Sequence, residues 1–180
     1  MGALLDTERE MLARLLSVDF DGAEVLRIQA ANILGAEPNC ACGCPSITPH
    51  VDRDAAPPAR CRSPLPVELA EMSRADGIPR TVTCFLDPDG YVGNLECDYL
   101  DDARPEWPRA DQCAILLSDD EGRLEAVALP SGALVRPRER GDRWVSFEPQ
   151  GDGGFCAATW SGYRECFARD GSEIARTFGK

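Results

Sequence analysis

The first 35 residues repeat polar and apolar positions with the spacing of two amphipathic helices. Residues 7–10 have the form of a capping box. The apolar residues that follow the helical spacing of the first segment are Leu5, Met11, Leu12, Leu15 and Leu16. Asp21 and Glu24 indicate a second start, the apolar spacing continues to Ile33, and Gly35 is placed to end the helix. The pattern predicts two helices separated by the polar stretch 19–22.

Residues 81–100 alternate apolar and polar positions on either side of an Asp-Pro-Asp-Gly turn at 87–90. This alternation predicts a β-hairpin with one buried face. If Asp87 pairs with Gly90, Cys84 and Cys97 lie on the same face but about 13 Å apart along the strands. We therefore expect two separate buried thiols, and no bond between them.

Beyond residue 111, six short apolar runs separated by turn signals predict strands. They are residues 124–129, 133–135, 144–147, 155–160, 163–168 and 174–178. The Pro-containing, charged stretch 101–111 is the predicted boundary between an α+β domain (1–102) and a β-rich module (112–180), the latter either separate or continuous with the first sheet. The predicted fold class is α+β, with two N-terminal helices packed on an antiparallel sheet, followed by a β-meander or small-barrel-like C-terminal module. The predicted core residues are Leu12, Leu15, Leu16, Val25, Leu26, Val82, Cys84, Leu86, Leu95, Cys97, Trp144, Phe155 and Phe167.

Composition narrows the functional classes. The chain has 31 acidic and 19 basic residues, a formal charge of −12. This charge argues against unaided binding to nucleic acid or to an anionic membrane, and favours a basic partner. No segment has the pattern of a signal peptide, and the longest apolar run, 113–117, is too short to span a bilayer. We therefore expect the nine cysteines to be reduced thiols in the cytoplasm.

Acidic residues are concentrated between positions 96 and 125, where ten acids accompany three arginines. The simpler interpretation is a solvated face; the functional one is a binding surface anchored by a tryptophan. The candidate binding residues are Asp101, Asp102, Glu106, Trp107, Asp111, Asp119, Asp120 and Glu121. The leading hypothesis is a cytoplasmic binding protein of the immunity or inhibitor kind that neutralises a basic partner, such as a toxin or nucleic-acid enzyme. It needs no catalytic residue and no cofactor.

Three cysteines spaced two residues apart, Cys40, Cys42 and Cys44, suggest two alternatives to protein binding, a metal site and a reactive thiol. In a strand these thiols are about 6.6 Å apart, so a shared Zn²⁺ ion requires the chain to curl, with Cys61 or His50 as a further ligand. The simpler interpretation is a tight turn with packed thiols. A cysteine-dependent enzyme using Cys44 and His50 is the second alternative.

Several segments together resemble a known family. These are the run 15–24, the Cys-x-Cys-x-Cys-Pro-Ser run at 40–46 and the hairpin at 89–91. They resemble a family of short uncharacterised actinobacterial proteins over roughly residues 5–100. The resemblance implies no activity and therefore no functional residue, and it does not cover the C-terminal module.

Overall fold

The protein divides into two compact units, seen in a computed structural model that describes residues 2–39, 41–72, 80–98 and 106–179. Unit 1 comprises Met1–Glu68 and Thr81–Ala110, and unit 2 comprises Leu69–Arg80 and Asp111–Lys180. The described residues contain two α-helices and twelve strands, so the α+β class is confirmed. The division near residue 110 lies close to the predicted boundary, but residues 69–80 group with the C-terminal unit.

Both predicted helices are present in unit 1. Helix α1 spans Asp6–Leu15 and α2 spans Ala23–Ala31. The first begins earlier than predicted, since the backbone N–H of Leu5 donates to the Glu8 carboxylate at 2.7 Å. The second ends before Ile33, which begins a strand instead of continuing the helix.

Five strands follow in the chain, and the first three were not predicted. They are β1 (Ile33–Pro38), β2 (Ile47–Val51), β3 (Val67–Glu71), β4 (Thr81–Leu86) and β5 (Val92–Asp98). In unit 1 the order is β1-β2-β5-β4, with antiparallel neighbours, while β3 crosses the division between the units. The buried side chain of Gln29 ties α2 to this unit, because its amide donates to the Pro57 and Gly90 carbonyls and accepts from the Val92 N–H.

The β4–β5 hairpin is confirmed, but its predicted register is wrong by two residues. Its paired residues include Thr81–Asp98, Val82–Cys97, Thr83–Glu96 and Cys84–Leu95. The register differs because the Asp87 N–H donates to the Tyr91 carbonyl, which closes a three-residue loop that contains Gly90 at φ 88°, and because a bulge lies between Phe85 and Leu86. Cys84 and Cys97 are thus one same-face step apart, about 6.6 Å along the strand, and not 13 Å. Both are buried and neither forms a disulfide bond, as expected.

Unit 2 contains the remaining strands. They are β6 (Cys113–Ser118), β7 (Leu124–Ala128), β8 (Leu134–Val135), β9 (Glu148–Pro149), β10 (Phe155–Ala158), β11 (Tyr163–Phe167) and β12 (Glu173–Phe178), and a 3₁₀ turn, Ala110–Gln112, precedes β6. Strands β6-β7-β8 are neighbours in that order, and a second sheet has the order β12-β11-β10-β9. Five of the six predicted runs contain a strand. In the sixth, 144–147, Trp144 forms only isolated bridges, to Leu124 and Thr159.

Aromatic side chains form the centre of unit 2. Trp144, Phe155 and Phe167 are buried, and their ring centroids lie 5.0–5.8 Å apart. All three were predicted core residues. Of the other predicted core residues, Val25 and Leu86 are half-buried and the rest are buried.

Unit 2 also contains a disulfide bond. Cys156 on β10 lies directly opposite Cys166 on β11, and the two are bonded. The expectation of reduced thiols is wrong for this pair, because the strand register brings the two side chains together on one face. Among the helices that the structure describes, none is long and apolar enough to cross a membrane.

Candidate functional site

An acidic cleft lies in unit 1 where the chain turns into α2. Its volume is about 550 Å³, within the range of roughly 300–1,000 Å³ that is usual for binding sites. Its lining residues are Asp19, Phe20, Asp21, Gly22, Ala23, Glu24, Val25, Pro58 and Arg60. Three carboxylates and one arginine therefore surround apolar surface, and we call this the acidic cleft.

A glycine makes the turn at the acidic cleft. Gly22 precedes α2 with φ 87°, a left-handed conformation that is costly for residues with a Cβ. A Cβ on Gly22 would also lie 3.1 Å from the Sγ of Cys61. The glycine thus allows both the sharp turn and the close packing of Cys61 beneath it, with Asp21 and Glu24 on either side.

The three carboxylates of the acidic cleft differ in their partners. Asp19 pairs with Arg27 at 2.9 Å. Within the described ranges, neither Asp21 nor Glu24 has a cation at ion-pair distance. Both lie at the N-terminal end of α2, where the helix dipole favours negative charge. Two uncompensated carboxylates are therefore available to a ligand.

The thiol beside the acidic cleft is not activated. Burial raises the pKa of the half-buried Cys61 thiol, and the negative charge of Asp21 raises it further. A thiol with a raised pKa stays protonated near neutral pH, whereas a nucleophile requires the thiolate. This environment does not favour a cysteine-dependent reaction at Cys61.

The acidic cleft has the chemistry to bind a lysine or arginine side chain. Carboxylates form strong charge-assisted hydrogen bonds with such groups. Phe20 and Val25, both half-buried, offer apolar surface to the aliphatic stem of the same side chain. The sequence reasoning missed this site because the polar stretch 19–22 was interpreted only as a break between helices.

The structure does not bring the predicted acidic binding residues together in one unit. Asp101 and Asp102 lie outside the described residues. Glu106 is exposed and Trp107 half-buried, and both belong to unit 1. The remaining candidates, Asp111, Asp119, Asp120 and Glu121, belong to unit 2.

Part of that acidic stretch is neutralised within unit 2. Asp119 accepts hydrogen bonds from Arg123 and Arg143, each at 3.0 Å. Burial tends to raise the pKa of Asp119, but the hydrogen bond from the backbone N–H of Arg123, together with these two side-chain bonds, outweighs burial and holds the pKa below its ordinary value. Glu121 also pairs with Arg123, at 2.6 Å, whereas Asp120 is exposed. Asp119 and Glu121 thus belong to an ion-pair network of this chain.

The cysteine run lies largely in a turn. Cys40 is outside the described residues, and residues 41–45 form an irregular connection between β1 and β2, with Gly43 at φ 84°. Cys42 is disulfide-bonded, so the expectation of reduced thiols is wrong for it as well, whereas Cys44 is half-buried and not in a disulfide. In this state Cys42 supplies no thiolate, so the run does not present three metal-binding sulfurs.

The other two candidate metal ligands lie in different surroundings. Cys61 packs beside the acidic cleft, and the Nε2 atom of His50 lies 3.3 Å from a carboxylate oxygen of Glu37. The described part of the chain contains no group of three or more His, Cys, Asp or Glu residues arranged to hold a metal ion. The zinc alternative stays a prediction.

A buried carboxylate in unit 2 was also missed. Glu165, on β11, is fully buried and accepts a hydrogen bond from the Trp144 indole at 3.0 Å. The Nε atom of Arg176 lies 3.3 Å from its other oxygen, and the Arg176 guanidinium stacks over the Tyr163 ring at 3.8 Å. The signal was present in the sequence, since Glu165 occupies an inward position between Tyr163 and Phe167 in a predicted strand. Its partners are structural, so we assign it to the fold.

Comparison with protein-family models, curated proteins and solved structures found no match to this chain. The resemblance described above therefore stays a prediction.

Proposed function

We propose that this chain is an acidic protein-binding module of the immunity or inhibitor kind, which neutralises a basic partner such as a toxin or nucleic-acid enzyme. The acidic cleft is the observation that carries the proposal. It combines two uncompensated carboxylates, Asp21 and Glu24, with apolar surface, in a cleft large enough to admit a basic side chain. A basic residue of the partner enters it as the anchor of the interface.

The distribution of charge supports the same function. Unit 1, which contains the acidic cleft, has 17 acidic and 8 basic residues in its sequence, a formal charge of −9 out of −12. A field of this sign speeds the encounter with a basic protein and disfavours nucleic acid as a direct ligand. The candidates Glu106 and Trp107 belong to the same unit and extend the proposed surface.

The location and the finer architecture are proposed with it. We place the protein in the cytoplasm, although the Cys156–Cys166 bond is of a kind more common in oxidising compartments. Fractionation of the native cells, with the protein detected in each fraction, tests this placement: recovery in the cytoplasmic fraction supports it, and recovery only in a secreted or envelope fraction contradicts it. We also propose that both helices pack on the sheet of unit 1 and that the C-terminal module is barrel-like.

Affinity capture with the full chain tests the proposal. The bait is exposed to native lysate at low and at high salt, and bound proteins are quantified by mass spectrometry. We expect one dominant basic protein whose recovery falls at high salt, since exposed charge pairs are screened. Recovery of no protein at either salt concentration would contradict the proposed function.

Variants of the acidic cleft test whether capture of the partner depends on the cleft carboxylates or only on the net charge of the chain. The double variant Asp21→Asn/Glu24→Gln removes two charges without changing side-chain size. The matched control, Glu10→Gln/Asp54→Asn, removes the same charge from exposed positions of unit 1. We expect the cleft variant to lose the partner and the control to retain it; equal loss from both would show that net charge, and not the acidic cleft, is responsible.

A further inference from the structure

An apolar groove lies between the two helices of unit 1, apart from the acidic cleft. Its volume is about 440 Å³. It is lined by Leu4, Arg9, Leu12, Ala13, Leu16, Arg27, Ala30 and Ala31. All but two of these side chains are apolar, and we call this the helix groove.

The helix groove follows from the sequence spacing of the two helices. On α1 and its C-terminal cap, Arg9, Leu12, Ala13 and Leu16 recur three or four residues apart and so form one stripe. On α2, an arginine and two alanines form a similar stripe. Because the alanines carry only a methyl group, the stripes leave space between them, and the buried side chains of Leu12 and Leu16 form its floor.

The charge of the helix groove is opposite to that of the unit around it. Its only two charged lining residues are arginines, Arg9 and Arg27, in a unit of formal charge −9. Arg27 is engaged, since it donates to the Leu16 and Val18 carbonyls at 2.7 and 2.9 Å. Arg9 is exposed, and among the described residues no partner is found for its guanidinium. An unpaired cation therefore stands at one end of an apolar groove.

We propose that the helix groove binds an amphipathic carboxylate, a medium-chain fatty acid. The carboxylate pairs with Arg9, and the aliphatic tail lies on Leu12 and Leu16 in the space that the alanines leave. From residue 9 to residue 16 the helix rises about 10 Å, which sets the length of tail that the floor supports. The groove volume is within the range usual for small ligands. This binding is independent of the basic protein partner proposed above.

The test uses octanoate and its charge-reversed counterpart octylammonium, each titrated into the full chain below its micellar concentration and followed by amide chemical shifts. We expect octanoate to shift the amides of the α1 and α2 stripes and octylammonium to leave them unchanged. Equal shifts of the stripe amides with both probes, or no shift of these amides with octanoate at millimolar concentration, would overturn the proposal; octylammonium shifts confined to residues 19–25 would report the acidic cleft instead.

Two variants separate the headgroup from the tail. Arg9→Gln removes the cation at an exposed position, and we expect it to weaken octanoate binding about fivefold, the effect of losing a charge-assisted hydrogen bond near the surface. Ala13→Leu fills the helix groove from an exposed position of α1 and is expected to abolish binding. Arg140→Gln, which removes an exposed arginine of unit 2, is the control. Unchanged affinity in Arg9→Gln would overturn the proposal whether or not Ala13→Leu folds.

Discussion

Removing the buried carboxylate of Glu165 tests whether its hydrogen bond to Trp144 and its ion pair with Arg176 stabilise unit 2. Glu165→Ala takes away the acceptor of the Trp144 indole N–H and the partner of Arg176 at once. The indole then lies buried without a hydrogen bond, and the guanidinium, whose side chain is 18% exposed, loses one of its two carboxylate partners. Both effects favour the unfolded state.

The expected magnitude follows from these contacts. Breaking one side of a buried ion pair costs about 3–5 kcal/mol in the free energy of unfolding. Arg176 keeps its ion pair with Glu139 at 3.0 Å and its stacking on Tyr163. We therefore expect the lower end, about 3 kcal/mol. Glu165→Gln keeps an acceptor for Trp144 and is expected to cost only about 1–2 kcal/mol.

Urea unfolding monitored by tryptophan fluorescence measures these differences. The chain has three tryptophans, so a Trp107→Phe/Trp160→Phe background leaves Trp144 as the reporter of unit 2. The control is Glu148→Gln, which breaks an exposed pair with Arg164 and is expected to cost less than about 1 kcal/mol. The reasoning is refuted if the free energy of unfolding of Glu165→Ala lies within about 1 kcal/mol of that of the parent, which is the effect of losing an exposed ion pair. It is also refuted if Glu165→Ala lowers this free energy no more than Glu148→Gln does.

Three further predictions concern thiols and pH. Replacing Cys156 and Cys166 by serine removes a disulfide bond between residues 10 positions apart in sequence, and we expect the free energy of unfolding to fall by about 3 kcal/mol. An unchanged urea midpoint would contradict a stabilising bond. Burial, with a smaller contribution from the nearby Cys61, raises the pKa of Cys84 to about 12. A thiol reagent at pH 8 should therefore label Cys61 before Cys84, and should label Cys84 only in denaturant. Mass spectrometry of the labelled peptides measures the order of labelling. Because the pKa of Asp119 is held below its ordinary value of 3.8, its ion pairs stabilise the folded state above that pH and are lost as the pH falls through the lowered pKa. The urea midpoint should therefore fall more between pH 6 and pH 2 in the parent than in Asp119→Asn, and equal falls would contradict this prediction.

The sequence predicted those elements whose periodicity is local. Both helices and the β4–β5 hairpin were found, because an apolar stripe and a turn sequence are each contained in a short segment. Strand β1 was missed in part because Ile33 continues the apolar spacing of α2, although the helix ends at Ala31. The hairpin register was wrong because the turn chemistry of residues 87–90 fits more than one loop length.

The candidate sites depended on contacts that the sequence does not show. A charge count cannot separate Asp119, which is paired with two arginines, from Asp21, which has no cation at ion-pair distance among the described residues. Likewise, the pairing of Cys156 with Cys166 depends on the register of β10 and β11, which only the folded sheet fixes. The acidic cleft and the helix groove each combine residues from separate segments of unit 1.

The most direct test of the central claim is the affinity of the captured basic protein for three forms of the full chain, measured by titration calorimetry at low salt. These are the parent, Asp21→Asn/Glu24→Gln and Glu10→Gln/Asp54→Asn. We expect the cleft variant to bind about tenfold more weakly than the parent and the control to bind like the parent, since Glu10 and Asp54 lie outside the acidic cleft. Parent-like affinity in the cleft variant would contradict the claim that the acidic cleft is the binding site.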